Sequence, residues 1–409
     1  MDANVGQRDS HVQHLEQLCK EARSLWLKSA KVTDLIEVEK LYRSVWESTH
    51  NEMRNSSNVS ASAHDVVHQQ AGEKLAMILL QSRRPDEANS ILKVLNFTCR
   101  LSSSVLNYPT GRSIAFVQQP RSSLSNTAPC RIWDQFLSKD ELNCLLTAFY
   151  DPNAHYWTSH QYAVEPPSPY FSYLIPLDPE TGRNEYGTIG SIIRRIQRQI
   201  AEWKPLVQQC TYCEMWAHNR PHATGHQLHF DSDNEGDGDV IRNPLVSTIL
   251  YLTPGNDSVG GPSLITNQRR SSQHLADQGW YTPAVYNRLV AFDGKVLHGV
   301  IPGKGVAPVN QECMPCSSNR RVTLMLAFWK RITVRDDPAP GAGRPFPKAD
   351  SGKEWADILT SIIQPMKTLS PEPLPIEAVV IHPIYETLDG KPWTRRMGLP
   401  GYEQVFQGF

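Results

Sequence analysis

The chain has 409 residues, with 41 basic against 42 acidic side chains, 40% hydrophobic and 20% charged residues. That length accommodates two or three domains with sizeable cores, and this composition excludes wholesale disorder. A net charge of −1 without long Lys/Arg runs argues against a dedicated nucleic-acid or membrane-surface binder, and no apolar run approaches the roughly 18 residues of a membrane span.

The first residues, Met1 to Cys19, are polar and lack the apolar core of a secretory signal. Eight cysteines are too sparse for a disulfide scaffold, so a reducing, cytoplasmic setting is expected. Apolar residues then recur at helical spacing: Leu15, Leu18, Ala22 and Leu25, then Leu35, Val38, Leu41 and Val45. A third stripe holds Ala71, Leu75, Ile78 and Leu79; a fourth holds Ala88, Ile91, Leu92 and Leu95. Between them Pro85, followed by Asp86 and Glu87, marks a helix start, because acids complement the exposed amides there. Residues 1–110 therefore read as a helical-hairpin region, with one hairpin resembling a tetratricopeptide unit. Such a region caps the downstream domain or offers a surface to a protein partner.

Residues 111–129, rich in Ser, Pro, Arg and Gln, read as a linker. From Cys130 the pattern changes. Helical stretches at Lys139–Tyr150 and Ile189–Trp203 precede β-rich runs at Cys210–Ala217, Leu245–Leu252, Arg288–Phe292 and Arg321–Trp329. Strands at this spacing suggest a sandwich or jelly roll over 130–335, giving an α+β chain. The Pro-rich remainder, 336–409, is expected to cover the sheets as an extension packed on the core.

The stretch from His226 to Asp233 contains His229-Phe230-Asp231. On a strand, side chains two apart project to one face, so an imidazole and a carboxylate there can grip one ion. About one H-x-D is expected by chance in a chain with 14 histidines, so the motif needs company. Downstream come Tyr251-Leu252, Gly260-Gly261, the run Asn287–Asp293, His298-Gly299, and Arg321-Val322-Thr323, in that order.

This ordered set resembles the Fe(II)/2-oxoglutarate-dependent oxygenases, particularly the prolyl-hydroxylase-like branch, over about residues 130–330. The segment Arg131 to Leu142 also resembles that branch's opening strand and first helix. The resemblance implies a double-stranded β-helix (jelly-roll) core, with His229, Asp231 and His298 as ligands of Fe(II). Two imidazoles and a carboxylate on one side of the ion leave positions for a bidentate 2-oxo acid and for O2. Ascorbate is the expected reductant in vitro. A carboxylate at Asp231 points to oxygenation, since related halogenases carry a small residue there.

The cosubstrate's distal carboxylate calls for a buried guanidinium. Strand parity places Arg321 with Thr323, Met325 and Ala327 on one face and Val322, Leu324, Leu326 and Phe328 on the other, so Arg321 is chosen over Arg320, with Thr323 beside it. Tyr251 is a further candidate hydroxyl for the cosubstrate. Trp216 and His218 share a face and are expected to line the substrate pocket, whereas His226 should face away from His229. Family members usually carry the basic residue about ten positions after the second histidine. Here the gap is 23 (321 − 298), and the excess carries Cys313-Met314-Pro315-Cys316.

Other constellations are weaker. The pair Cys210 and Cys213 ends 100 residues before Cys313 (313 − 213), too far for a zinc ribbon, and the parity of the two differs. Asp233, Glu235, Asp237 and Asp239 lack the spacing of a calcium loop. Two function classes remain. One is an oxygenase acting on a small molecule or a protein side chain, with no nucleic-acid or membrane partner. The other is a non-catalytic jelly-roll and helical scaffold whose triad is vestigial or holds zinc.

Overall fold

The computed structural model describes residues 2–55, 63–109, 128–164, 170–177, 186–233, 241–255, 258–308, 320–335, 343–347, 352–362 and 372–409. Four helices come first: α1 (Asp2–Lys28), α2 (Val32–Asn55), α3 (Ala63–Gln81) and α4 (Pro85–Val94). Pro85 occupies the first turn of α4 with Asp86 and Glu87. Leu15, Ala22, Val38, Val45, Ala71, Leu75, Ala88 and Leu92 are all buried, so the 3.6-residue stripes face a common core.

The next elements are β1 (Cys99–Leu101), α5 (Ser103–Leu106), β2 (Cys130–Asp134), α6 (Lys139–Phe149) and α7 (His155–Ser159). They are followed by β3 (Tyr173–Pro176), α8 (Gly187–Ala201), β4 (Tyr212–Pro221), β5 (His226–His229) and β6 (Val246–Tyr251). Next come β7 (Ser263–Arg269), β8 (Gly279–Thr282), β9 (Leu289–Asp293), β10 (Val296–Val300) and β11 (Arg320–Trp329). The chain finishes with β12 (Arg344–Pro345), α9 (Glu354–Thr360), β13 (Leu374–Ile376), β14 (Val379–Ile381), β15 (Tyr385–Thr387) and β16 (Val405–Phe406).

The strands form an eight-stranded sheet in the order β12-β3-β4-β11-β6-β9-β2-β13 and a five-stranded sheet in the order β14-β8-β7-β10-β5. On β11, Val322, Leu324, Leu326 and Phe328 form the outer face and cluster with Leu145 and Phe149 of α6 and Ile189, Ile192 and Ile196 of α8. On the inner side Ile249, Val290 and Phe292 of the large sheet cluster with Ile265 and Trp280 of the small one. Each such fully buried apolar side chain contributes roughly 1.5–3 kcal/mol. The two sheets thus face each other across a shared apolar layer. The outer side of the small sheet (Leu228, Leu264, Tyr281, Leu297) packs into the core of the N-terminal helices. Gln81 Nε2 and Tyr108 Oη both donate to Pro302 O, at 3.2 and 3.0 Å.

The structure differs from the sequence reading at both ends of the chain. The N-terminal region is not wholly helical, because β1 pairs with both β15 and β16. The Pro-rich tail also does more than cover the sheets. It supplies edge strands: β12 beside β3, β13 beside β2 and β14 beside β8. Short Pro-bounded segments suit sheet edges, where a missing amide is tolerated. Most of the expected linker (111–127) lies outside the described residues, as do Cys313, Cys316, Glu235, Asp237 and Asp239.

Candidate metal centre and adjoining cavity

Strands β5 and β10 are neighbours, and His229 stands directly opposite His298 in their register. His229 Nδ1 lies 2.8 Å from Gln227 O and His298 Nδ1 lies 3.1 Å from Val296 O. A carbonyl only accepts, so each Nδ1 carries a proton, and each Nε2 is the ring nitrogen left to face an ion. Asp231, just past the end of β5, brings Oδ1 to 3.5 Å from His229 Nε2 and 3.6 Å from His298 Nε2. The three prospective ligand atoms lie within 4.8 Å of one another; among the described residues this is the sole such group.

The surroundings hold this arrangement. Ser247 Oγ, on β6 of the opposite sheet, donates to Asp231 Oδ2 at 2.5 Å, and Asn243 Nδ2 donates to Asp231 O at 2.6 Å. Phe292 packs on the His298 ring with centroids 4.5 Å apart. Burial alone would raise the Asp231 carboxyl, but His298 and His229 facing it hold it well below the ordinary range. His298 Nε2 is buried without a hydrogen-bond partner, and leaving such an atom unsatisfied costs about 1–3 kcal/mol. That orphan acceptor, aimed at a carboxylate and a second imidazole, suits a cation between them.

On the inner face of the large sheet Tyr251, Thr323 and His218 lie side by side in the register of β6, β11 and β4, and Arg321 lies opposite Arg220. Arg321 is 3% exposed. Its Nη1 makes one long bond, 3.4 Å to Gly261 O, its Nε has no partner, and no carboxylate pairs with it among the described residues. Burial pushes its guanidinium down to about 10, so it remains charged at neutral pH. Arg320 projects to the other face, bonding Asn219 Oδ1 at 2.5 Å and Asn219 O at 2.8 Å. The Tyr251 hydroxyl is engaged with Ser263 Oγ at 2.8 Å and Thr282 O at 3.3 Å. The turn before β7 needs its glycines. Gly260 adopts φ +81°, with a would-be Cβ 3.1 Å from the Arg321 side chain, and a Cβ on Gly261 would meet Ile301 O at 2.0 Å.

A cavity of about 390 Å³ opens beside His229 and Asp231, and Trp216, His218, Arg220 and His226 stand in its wall. His226 does not face away from His229; the rings lie 4.4 Å apart. The reason is a β-bulge. Three steps along β5 (226 to 229) span the distance of two along β10 (300 to 298), which resets the parity. Burial, then the neighbouring cationic groups with Arg220 among them, holds His218 and His226 neutral at physiological pH.

The sequence reading passed over Glu214, Arg220 and Ser247. The first two share the parity of Trp216 and His218, a usable signal; Ser247 had none, because it acts across the sheets. Cys213 is a buried core residue, and Asp233 is bonded by Arg242 at 2.5 Å.

No protein-family model and no curated protein sequence matches the chain. Among solved structures it is similar to a prolyl-4-hydroxylase of Pseudomonas putida, at 16% identity over 50% of this chain and 94% of that one, with a TM-score of 0.30. It is similar to an oxidoreductase of the 2OG-Fe(II) oxygenase family from Burkholderia pseudomallei, at 12% identity over 52% and 84% of the two chains, TM-score 0.28. It is also similar to HygX of Streptomyces hygroscopicus, solved with nickel, 2-oxoglutarate and hygromycin B, at 12% identity over 54% and 93%, TM-score 0.31.

Proposed function

We propose that this chain is an Fe(II)- and 2-oxoglutarate-dependent oxygenase that hydroxylates, or otherwise oxidises, an unactivated C–H bond while converting 2-oxoglutarate to succinate. The observation that carries this reading is the convergence of two imidazole Nε2 lone pairs and one carboxylate oxygen within 4.8 Å, one of those nitrogens buried and unpartnered. Two neutral imidazoles and a carboxylate fit Fe(II) and leave coordination positions free. When bound, the ion supplies activation of O2 coupled to decarboxylation of the 2-oxo acid.

The chain's own residues orient and select. The two Nδ1–carbonyl bonds fix the imidazole tautomers, and Ser247 turns Asp231 Oδ1 toward them. Arg321 would receive the distal carboxylate of 2-oxoglutarate in a buried setting that favours a bidentate pair, with Thr323 and Tyr251 as neighbouring hydroxyls. Trp216 and His218 line the space for the prime substrate, a small molecule or a protein side chain. Within this reading residues 130–335 form a jelly roll, the N-terminal helices are tetratricopeptide-like and available to a protein partner, and the protein works in the cytoplasm.

The test is turnover of 2-oxoglutarate to succinate with Fe(II) and ascorbate. Wild-type protein should release succinate, and His229→Ala and His298→Ala should release none. Undiminished turnover in either variant overturns the assignment. Tight zinc binding at the triad with no turnover under any condition would favour the scaffold.

A further inference from the structure

Glu214 plays no part in holding the ion or the cosubstrate, yet it opens onto the cavity beside the triad. It is 5% exposed, and among the described residues no Lys or Arg pairs with it. Its partners are neutral: Ser172 Oγ donates to Oε1 at 2.5 Å and Trp329 Nε1 donates to Oε2 at 3.0 Å. A carboxylate has about four acceptor sites, so two donors leave capacity for another. Burial, with Asp231 and Asp233 nearby, pushes its carboxyl up to about 7. An acid left in this state lacks a counter-charge that a ligand can bring.

The walls point to the sign of that ligand. Tyr162, Tyr170, Phe171, Trp216, Phe230 and Trp329 all line the cavity. Aromatic faces carry partial negative charge and attract cations, most strongly where water is excluded. The position suits a substrate anchor. In register Glu214 lies opposite Ala327, and Ala327 lies opposite Ser247, the residue that holds Asp231. Two strand spacings, about 10 Å, therefore separate Glu214 from the strand position that supports the triad. Arg220 stands six residues along β4, roughly 20 Å away, next to Arg321, and does not neutralise Glu214.

We propose that this cavity binds a substrate through an ammonium or quaternary-ammonium group, with Glu214 as its counter-ion and the surrounding Trp and Tyr rings as its cage. The role as a substrate site rests on the oxygenase reading; the cation site itself does not. A cation held at Glu214 leaves carbons several bonds away free to reach the triad.

The test uses the full chain without iron and three probes of matched shape: choline, its neutral isostere 3,3-dimethylbutanol, and 3,3-dimethylbutanoate. Calorimetry should show choline binding at least tenfold more tightly than the alcohol, with the carboxylate weakest. Glu214→Gln should remove the preference for choline while leaving affinity for the alcohol unchanged, and Trp216→Ala should weaken choline independently. Equal affinity for choline and the alcohol in the wild type overturns the proposal whether or not either variant folds. So does full choline affinity in Glu214→Gln, and so does tightest binding of the carboxylate, which would mark Arg220 as the reader of an anion. Succinate release is read separately with iron. Choline bound through Glu214 without any turnover would sustain the cation site and sink the oxygenase reading.

Discussion

Arg321→Met should weaken 2-oxoglutarate binding severely without destabilising the fold. The guanidinium is 3% exposed, with one 3.4 Å bond to Gly261 O and an unpartnered Nε. Its value of about 10 lies below that of an arginine in the unfolded chain. For a base this means the folded state disfavours the charged form. The penalty is present in full at neutral pH and is relieved only as pH rises through about 10. The difference from the ordinary arginine value amounts to roughly 3 kcal/mol. A methionine of similar length removes that penalty and keeps the packing, so thermal unfolding should be unchanged or shifted upward by a few degrees. Binding moves the other way. Losing one partner of a buried charge pair costs about 2–5 kcal/mol, or roughly thirtyfold to more than a thousandfold in Kd. Calorimetric titration of 2-oxoglutarate into Mn(II)-loaded protein, beside scanning calorimetry, reads both quantities. A variant that melts several degrees lower and binds 2-oxoglutarate as the wild type does would make Arg321 a structural cation and not the cosubstrate's partner. Arg321→Lys should recover part of the affinity, because an ammonium cannot reproduce the planar fork. Arg320→Ala should leave affinity unaltered, since that side chain is spent on Asn219 across the sheet.

His229→Ala and His298→Ala should each abolish Mn(II) binding measured by paramagnetic resonance while preserving far-ultraviolet circular dichroism. Ser247→Ala removes the 2.5 Å bond to Asp231 Oδ2 and should weaken metal affinity about 10–100-fold, checked by competition with a chelator. Arg100→Ala breaks the 2.9 Å pair with Glu386 that joins β1 to β15, where the Arg side chain is 1% exposed. Leaving that carboxylate with Ser103 N and Oγ but no cation should cost up to about 3–5 kcal/mol and lower the melting temperature, with metal affinity intact as the control. Unchanged melting would show that the Arg100–Glu386 pair contributes nothing to stability.

The features legible along the one-dimensional chain are local and periodic. The helical stripes before residue 96, the Pro85 start of α4, and the strands around Val246, Leu289 and Val322 all follow from spacings of 3.6 or 2 residues, which any window of the chain displays. The same period separated Arg321 from Arg320, because alternation within one strand is fixed by covalent geometry. The tertiary structure decided whatever depends on which strands are neighbours. The bulge opposite Val300 turned His226 toward His229, a shift no in-strand count registers. The pairing of β1 with two strands of the tail joined residues some 300 positions apart. Glu214 and Ser247 entered the site only through the β4-β11-β6 register, and Ser247 reaches Asp231 only because the second sheet lies across the first. Side-chain parity is inherited from the backbone of one strand, whereas register and sheet facing are set by long-range burial, and the chemistry of this site is assembled at that second level.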